Sequence, residues 1–308
     1  MVDLTTQISL IVDYWKQYGW HIDVQPTQAP EHAIELAKQA SLSGHQIVFA
    51  GGGDGTIGEV ANGLVGSETI LAPVPMGTTN SFARELNYPM PTWPQRHRLT
   101  DVMKALVNGR VHSVDVGYNA ADDKNGRFWL MWSGVGADSH LVHALEPRPA
   151  WSRKLGRFGY SLQGLVELPK FKSIHATVQV DDQSFEDEFV LIVVTNCRYY
   201  AGLLPMNPQA KLDDGLYEVR LFRGSGTVKT LSYVTQLLLN RPLDANQVVV
   251  LNGRSVRVET KQKIGCHADG DQAGYAPLVS ELHPKALRLL VPADAPADLF
   301  LESGDKLT

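Results

Sequence analysis

Only two cysteines, Cys197 and Cys266, occur in 308 residues, and they fit no C-x-x-C metal or redox spacing. They read as two buried free thiols, which suits a reducing compartment. The ten histidines form no H-x-x-x-H pair, which argues against catalytic zinc. The start, Met1-Val2-Asp3-Leu4, lacks a basic region followed by an apolar run, so no secretory signal is expected. No apolar stretch approaches the roughly 18 to 20 residues that span a bilayer. The longest, Phe189–Thr195, has the length of a buried strand. Excess positive charge is lacking as well. A net charge of -5 counts against nucleic acid as the main partner, although the total does not describe how charge is distributed. There is no internal repeat and no low-complexity segment. What remains is an ordinary globular composition, 44% hydrophobic, 20% charged and 8% aromatic, expected in the cytoplasm and long enough for two hydrophobic cores.

The first third alternates between periods. Ile8, Ile11, Val12, Trp15 and Tyr18 recur at helical spacing, and Gly19 stops the run. His21–Val24 alternates like a short strand, and Glu31–Ala40 reads as a second helix. Gln46–Ala50 is an apolar strand running into Gly51-Gly52-Gly53, followed by a helix from about Ile57 to Leu64 and a strand over Thr69–Val74. Alternating strands and helices imply a parallel sheet covered by helices, here over residues 1–112. From Ser113 the pattern becomes β-rich: Ser113–Asn119, Phe128–Ser133, Ile174–Val180, Phe185–Thr195, Leu216–Phe222, Gln247–Leu251 and Ser255–Glu259. Helical stretches interrupt near Ser139–Leu145 and Tyr160–Leu168. This predicts an antiparallel β-sandwich over residues 113–283. The last strand, Ala286–Val291, could pair with either domain, and the segment that holds it, about residues 284–308, can return to the first.

Two glycine-containing turns carry the chemistry. Ala50-Gly51-Gly52-Gly53-Asp54-Gly55-Thr56 joins a strand to a helix start. Glycine lets the backbone approach a phosphate, and the N–H groups of a helix start attract anions. A carboxylate in such a turn either holds Mg²⁺ against phosphates or fixes the turn through backbone hydrogen bonds. Pro73-Val74-Pro75-Met76-Gly77-Thr78-Thr79-Asn80-Ser81 repeats the layout with hydroxyls and an amide. Those groups either contact phosphate or ribose or cap the helix carrying Phe82 and Leu86. Two such turns at successive strand ends fall at the carboxyl edge of one sheet, where α/β ligands bind. Asp213-Asp214-Gly215 and Asp269-Gly270-Asp271 each place two carboxylates in a turn. Such turns are ordinary in themselves, and vicinal carboxylates repel unless a cation or hydrogen bonds compensate.

These blocks resemble the diacylglycerol kinase catalytic domain superfamily, which includes sphingosine and ceramide kinases and bacterial lipid kinases. Gly52-Gly53-Asp54-Gly55-Thr56 with Glu59, Asn62 and Gly63 is similar to its first signature, and Pro75 through Arg84 to its P-x-G-T-x-N-D-F-A-R block. The similarity continues through Val114–Gly117, Ser133–Asp138, Tyr200-Ala201-Gly202 with Pro205, Leu212–Leu216 and Asp269–Asp271. NAD kinases share the G-G-D-G-T element, but the second block here does not resemble theirs. The resemblance implies a three-layer α/β nucleotide domain and an antiparallel β-sandwich, with ATP and lipid meeting in a cleft. It implies that Gly52, Gly53, Asp54, Gly55 and Thr56 contact ATP phosphates, and that Gly77, Thr78, Thr79 and Asn80 line the nucleotide site. It further implies that Asp54 and Asp271 are catalytic, Asp271 as general base, and that Asp214 binds Mg²⁺ with the carbonyls of Lys211 and Leu216.

The departures are three. The family usually begins with a strand carrying N-P-x-S-G, whereas this chain begins at the helix expected to follow it. Thr79 and Ser81 replace the commoner glycine and aspartate, and Asp271 stands where glutamate is frequent. Arg148, Arg153, Lys154 and Arg157 interleave with Trp151, Phe158 and Tyr160, which suits either an anionic membrane interface or a solvated loop. The expected partner is a lipid alcohol at a membrane surface, met from the inner face without a transmembrane segment. Oligomeric state stays open, a homodimer included. Two other readings stand beside the lipid kinase: a soluble-acceptor kinase of the NAD kinase kind, and a nucleotide or lipid sensor without turnover.

Overall fold

The computed structural model describes residues 4–90, 99–121, 124–145, 167, 170–171, 173–202 and 204–307. Contacts divide the chain into two units, Met1–Val114 with Ala286–Thr308, and Asp115–Lys285. Elements of the first unit are α1 (Leu4–Lys16), α2 (His32–Leu42), β1 (Ile47–Gly52), α3 (Asp54–Leu64), β2 (Ile70–Pro75), α4 (Ser81–Glu85) and α5 (Leu99–Val107). The chain passes to the second unit along β3 (Arg110–Ala121). There follow β4 (Lys124–Trp129), β5 (Trp132–Gly136), α6 (Ala137–Leu145), β6 (Ile174–Val180), β7 (Gln183–Thr195), β8 (Tyr199–Tyr200) and β9 (Leu204–Pro205). Then come β10 (Tyr217–Arg223), α7 (Thr227–Leu238), β11 (Val248–Gly253), β12 (Ser255–Thr260), β13 (Gly265–Ala268) and β14 (Asp271–Tyr275). The long β15 (Leu278–Val291) leads back to the first unit, which ends with β16 (Asp305–Lys306).

The first unit is the three-layer α/β arrangement that its alternation predicts. β1 and β2 run parallel in register from Ile47↔Ile70 to Gly52↔Pro75. Every residue of β2 is buried, as a strand covered on both faces requires. Trp15 anchors α1: its ring packs 4.9 Å from Trp20 and 5.1 Å from Phe49 of β1. Its indole N–H donates to the sulfur of Met103 on α5 at 2.9 Å. Of β15, Leu289 pairs in parallel with Leu71. Proline explains why that ladder is short. The amides of Ile70 and Met76 donate toward β1, so those of positions 71, 73 and 75 face β15, and Pro73 and Pro75 have none to give.

The second unit is an antiparallel β-sandwich. β7 pairs β6 along Gln183–Phe189, and then β5 along Leu191–Thr195. β10 lies along the other side of β7 and continues to β11. The inner faces enclose one apolar core containing Trp129, Phe189, Tyr217, Val256, Val258 and Cys266. Trp129 stacks on Tyr217 at 5.0 Å and donates its indole N–H to Asn119 at 2.8 Å. Both cysteines are buried, and neither is in a disulfide.

Three expectations change. His21–Val24 has no strand structure: four alternating residues without a neighbouring strand give the backbone no ladder to join. Phe128–Ser133 is two strands, β4 and β5, because the amides of Leu130, Met131 and Trp132 turn to one carboxylate, that of Asp269, at 2.8, 2.8 and 3.1 Å. Two helices without a clear signal, α5 and α7, are present, as are β13, β14 and β16. The basic and aromatic segment Arg148–Tyr160 lies outside the described residues, and so does nearly all of the helix expected over Tyr160–Leu168.

Helices α2 and α3 meet at Gly63. A β-carbon there would lie 2.6 Å from the Ala37 side chain and 2.6 Å from the carbonyl oxygen of Ile34. Gly63→Ala should therefore lower stability by about 1–3 kcal/mol despite its better helix propensity, as equilibrium unfolding in urea will show.

Candidate functional site

The first cluster forms where β1 and β2 end. Asp54 opens α3, and its carboxylate accepts the amides of Ser81 at 2.9 Å and Phe82 at 3.1 Å, the first residues of α4. One side chain from the first turn thus caps the helix of the second. The backbones close on each other as well: Gly52 accepts the amides of Met76 at 2.9 Å and Gly77 at 3.1 Å. A β-carbon on Gly77 would fall 2.5 Å from the α-carbon of Gly53, so glycine is the residue that permits this approach. Asn80, buried and left-handed at φ 50°, accepts the Gly77 amide at 3.0 Å and donates to the Gly77 carbonyl at 2.9 Å. Arg84 donates to the Thr79 carbonyl at 2.9 Å.

Asp54 and Asn80 therefore spend their polar atoms on the turns themselves. The surfaces left to a ligand are the exposed Gly51, Gly55, Gly77 and Thr78 and the half-buried Thr56. The N-terminus of α3 begins at Gly53 without a side-chain cap, and its first amides lack helical acceptors. Together these residues make a rigid, anion-attracting edge.

The second cluster lies in the second unit. Asp271 opens β14 and is paired with Arg127 of β4 at 2.6 Å, with side chains 49% and 28% exposed. This carboxylate is open to solvent on one side and held on the other. Asp269, left-handed at φ 52°, is the one consumed by structure through its three amides. Sequence reasoning missed Arg127, which no motif marks. It also missed a buried trio: Asp138 of α6 accepts from Tyr200 at 2.6 Å and bonds the Nε2 of His267 at 2.8 Å. The Asp138 carboxylate further accepts the Ser139 amide at 2.6 Å. Burial pushes the Asp138 carboxyl upward, but the charge and hydrogen bond of His267, with Tyr200 and Ser139, outweigh it and hold it below its ordinary value.

Residues 3–118 match the family described as "Diacylglycerol kinase catalytic domain", and residues 134–291 the "YegS C-terminal NAD kinase beta sandwich-like domain". The chain belongs to the diacylglycerol kinase-like family. Over 275 residues it is 26% identical to the diacylglycerol kinase of Bacillus subtilis (strain 168), covering 88% of this chain and 86% of that one. A protein of Klebsiella pneumoniae (strain 342) named "Probable lipid kinase YegS-like" is 26% identical over 292 residues, 94% of this chain and 93% of the other. A solved diacylglycerol kinase from Bacillus anthracis str. Sterne shares the fold at 22% identity and a TM-score of 0.69, covering 96% and 93% of the two chains.

The third cluster surrounds the turn before β10. Asp115 accepts the amides of Gly215 at 2.6 Å and Lys285 at 2.7 Å, and Asp214 accepts that of Leu216 at 3.0 Å. Burial pushes both carboxyls up, against these amides and reinforced by the like charge of Asp213. Among the described residues no group of three or more His, Cys, Asp or Glu is placed to hold a metal. A site on Asp214 would draw instead on the carbonyls of Lys211 and Leu216. Crowded, partly buried carboxylates with raised values are the environment that a divalent cation relieves, so the residues fit one.

Asp54→Ala should lower stability by about 0.5–2 kcal/mol, as loss of a helix cap does, and loosen the second turn. Asp54→Asn, which keeps one acceptor, should lose less; thermal unfolding of both variants checks this. His267→Leu leaves the Asp138 carboxylate to Tyr200 and Ser139 alone and should cost about 1.5–3 kcal/mol at pH 7, as loss of a hydrogen bond to a charged group does. Asp138 normally adds stability above its unfolded value of 3.8, lost as pH falls through its lowered folded value. Without His267 burial raises that value, and stability falls as pH rises instead. The gap between wild type and variant should thus widen from pH 3 to pH 6 in urea titrations.

Proposed function

We propose that this chain is an ATP-dependent lipid kinase, transferring the γ-phosphate to the hydroxyl of a diacylglycerol-like lipid alcohol met at a membrane surface. The observation carrying the proposal is the pair of turns closed by Asp54, which leaves Gly55, Thr56, Gly77 and Thr78 and the uncapped start of α3 facing outward. Phosphoryl transfer asks a protein chiefly for positioning and charge stabilisation, and a rigid row of amides supplies both to phosphate oxygens. Mg²⁺ bound with the nucleotide would neutralise phosphate charge, and at Asp214, Lys211 and Leu216 it would tie the turn before β10.

Asp271 takes the acceptor's proton. As the hydroxyl oxygen bonds to the γ-phosphorus and the bond to the ADP oxygen breaks, the proton passes to this carboxylate. Arg127 fixes its rotamer in the resting state. The family relatives support the kinase reading, the Bacillus subtilis protein being a diacylglycerol kinase by name, and at 26% identity the lipid itself is part of the proposal.

With [γ-³²P]ATP, Mg²⁺ and a panel of lipid alcohols in mixed micelles, label should move to the organic phase for one lipid class. Label confined to a water-soluble acceptor, or none transferred, would overturn the proposal. Asp271→Asn should lower turnover by about 10²–10⁴ while ATP affinity stays nearly unchanged; full activity in that variant removes Asp271 from the role of base.

A further inference from the structure

Helix α7 rests on its own unit through Thr230, Tyr233 and Leu237, all buried. The Tyr233 hydroxyl donates to the Arg223 carbonyl at 2.6 Å, and its ring meets Phe222 edge-on at 5.1 Å. At about 100° per residue the opposite face carries Val228, Leu231 and Leu238, and Leu239 at the C-terminal cap continues the stripe. These side chains are 85%, 41%, 60% and 57% exposed. Single exposed apolar residues are common, but four large ones within about 120° of one helix mark an interaction surface.

The charge around the stripe says what it meets. Residues 219–243 contain Arg220, Arg223, Lys229 and Arg241 and not one acidic residue, in a chain of net charge -5. Arg220 is paired with Glu218 and Arg223 with Asp187. Lys229 donates to the neutral Gln247 at 2.6 Å and lies over the Tyr233 ring at 4.9 Å, and Arg241 is exposed just beyond the helix. Hydrocarbon beneath a negative surface answers both features: apolar side chains enter the acyl boundary while cations meet lipid phosphates.

We infer that α7 docks this protein on an anionic bilayer, with Val228, Leu231, Leu238 and Leu239 inserted and Lys229 and Arg241 against headgroups. The inference rests on the lipid-acceptor reading above, because that acceptor lies in a membrane. The test is sedimentation of the full chain with phosphatidylcholine vesicles with and without phosphatidylglycerol, at low and high salt. Wild type should partition to the anionic vesicles and lose binding as salt rises. The double variant Leu231→Ser with Leu238→Ser should bind about tenfold more weakly, and Arg241→Glu severalfold more weakly. Both should phosphorylate a short-chain diacylglycerol in free solution like wild type.

Absence of wild-type vesicle binding, or undiminished binding by the variants, overturns the docking surface. So does a dimer in gel filtration that the double variant abolishes while vesicle binding persists, which would make the stripe a contact between copies. The two readings fail separately. Turnover of the soluble lipid without vesicle binding removes the docking surface alone; α7-dependent binding without lipid phosphorylation removes the kinase and leaves the surface standing.

Discussion

The carboxylate of Asp54 is the constraint on which the edge formed by the first unit's two glycine turns depends. It stands at the start of one helix and satisfies the amides of another, so two turns separated by more than twenty residues behave as one body. Each turn alone would be a short, solvent-facing loop with unsatisfied amides. Joined by this carboxylate, by the paired amides on Gly52 and by the contact of Gly53 with Gly77, they present a fixed surface. Preorganisation of that kind is what electrostatic stabilisation of a transferring phosphoryl group requires.

The second unit uses aspartate in contrasting ways within three residues. Asp269 is committed to three amides and ends β4 where sequence alone suggested a continuous strand, whereas Asp271 keeps a solvent-facing oxygen beside one guanidinium. Asp138 shows a further use, a buried charge tolerated only because His267, Tyr200 and Ser139 surround it. A carboxylate that can take part in chemistry is distinguished from its neighbours by having partners that can be displaced.

Much of this was legible in sequence. The glycine turns, the alternation before them and the β-rich runs after Ser113 placed the two architectures, and Ile174–Val180 was read to the residue. Legibility failed where structure depends on partners distant in the chain. Nothing in Asp54-Gly55-Thr56 says that its carboxylate belongs to Ser81 and Phe82, and nothing near Arg127 announces Asp271. α7 escaped because its buried side carries Thr230 and Tyr233 among exposed leucines, which blurs the helical period. His21–Val24 had the right pattern and no neighbour.

Pro73 and Pro75 have an effect on biosynthesis. The strand that finally lies beside β2 is made long after it, once the whole second unit has left the ribosome. A parallel strand waiting so long with a bare row of amides would be a template for any passing chain. With two of those donors deleted by proline, the waiting side offers little for a stranger to zip onto. What holds the late strand there is the burial of Leu287, Leu289 and Leu290, which a foreign backbone does not supply.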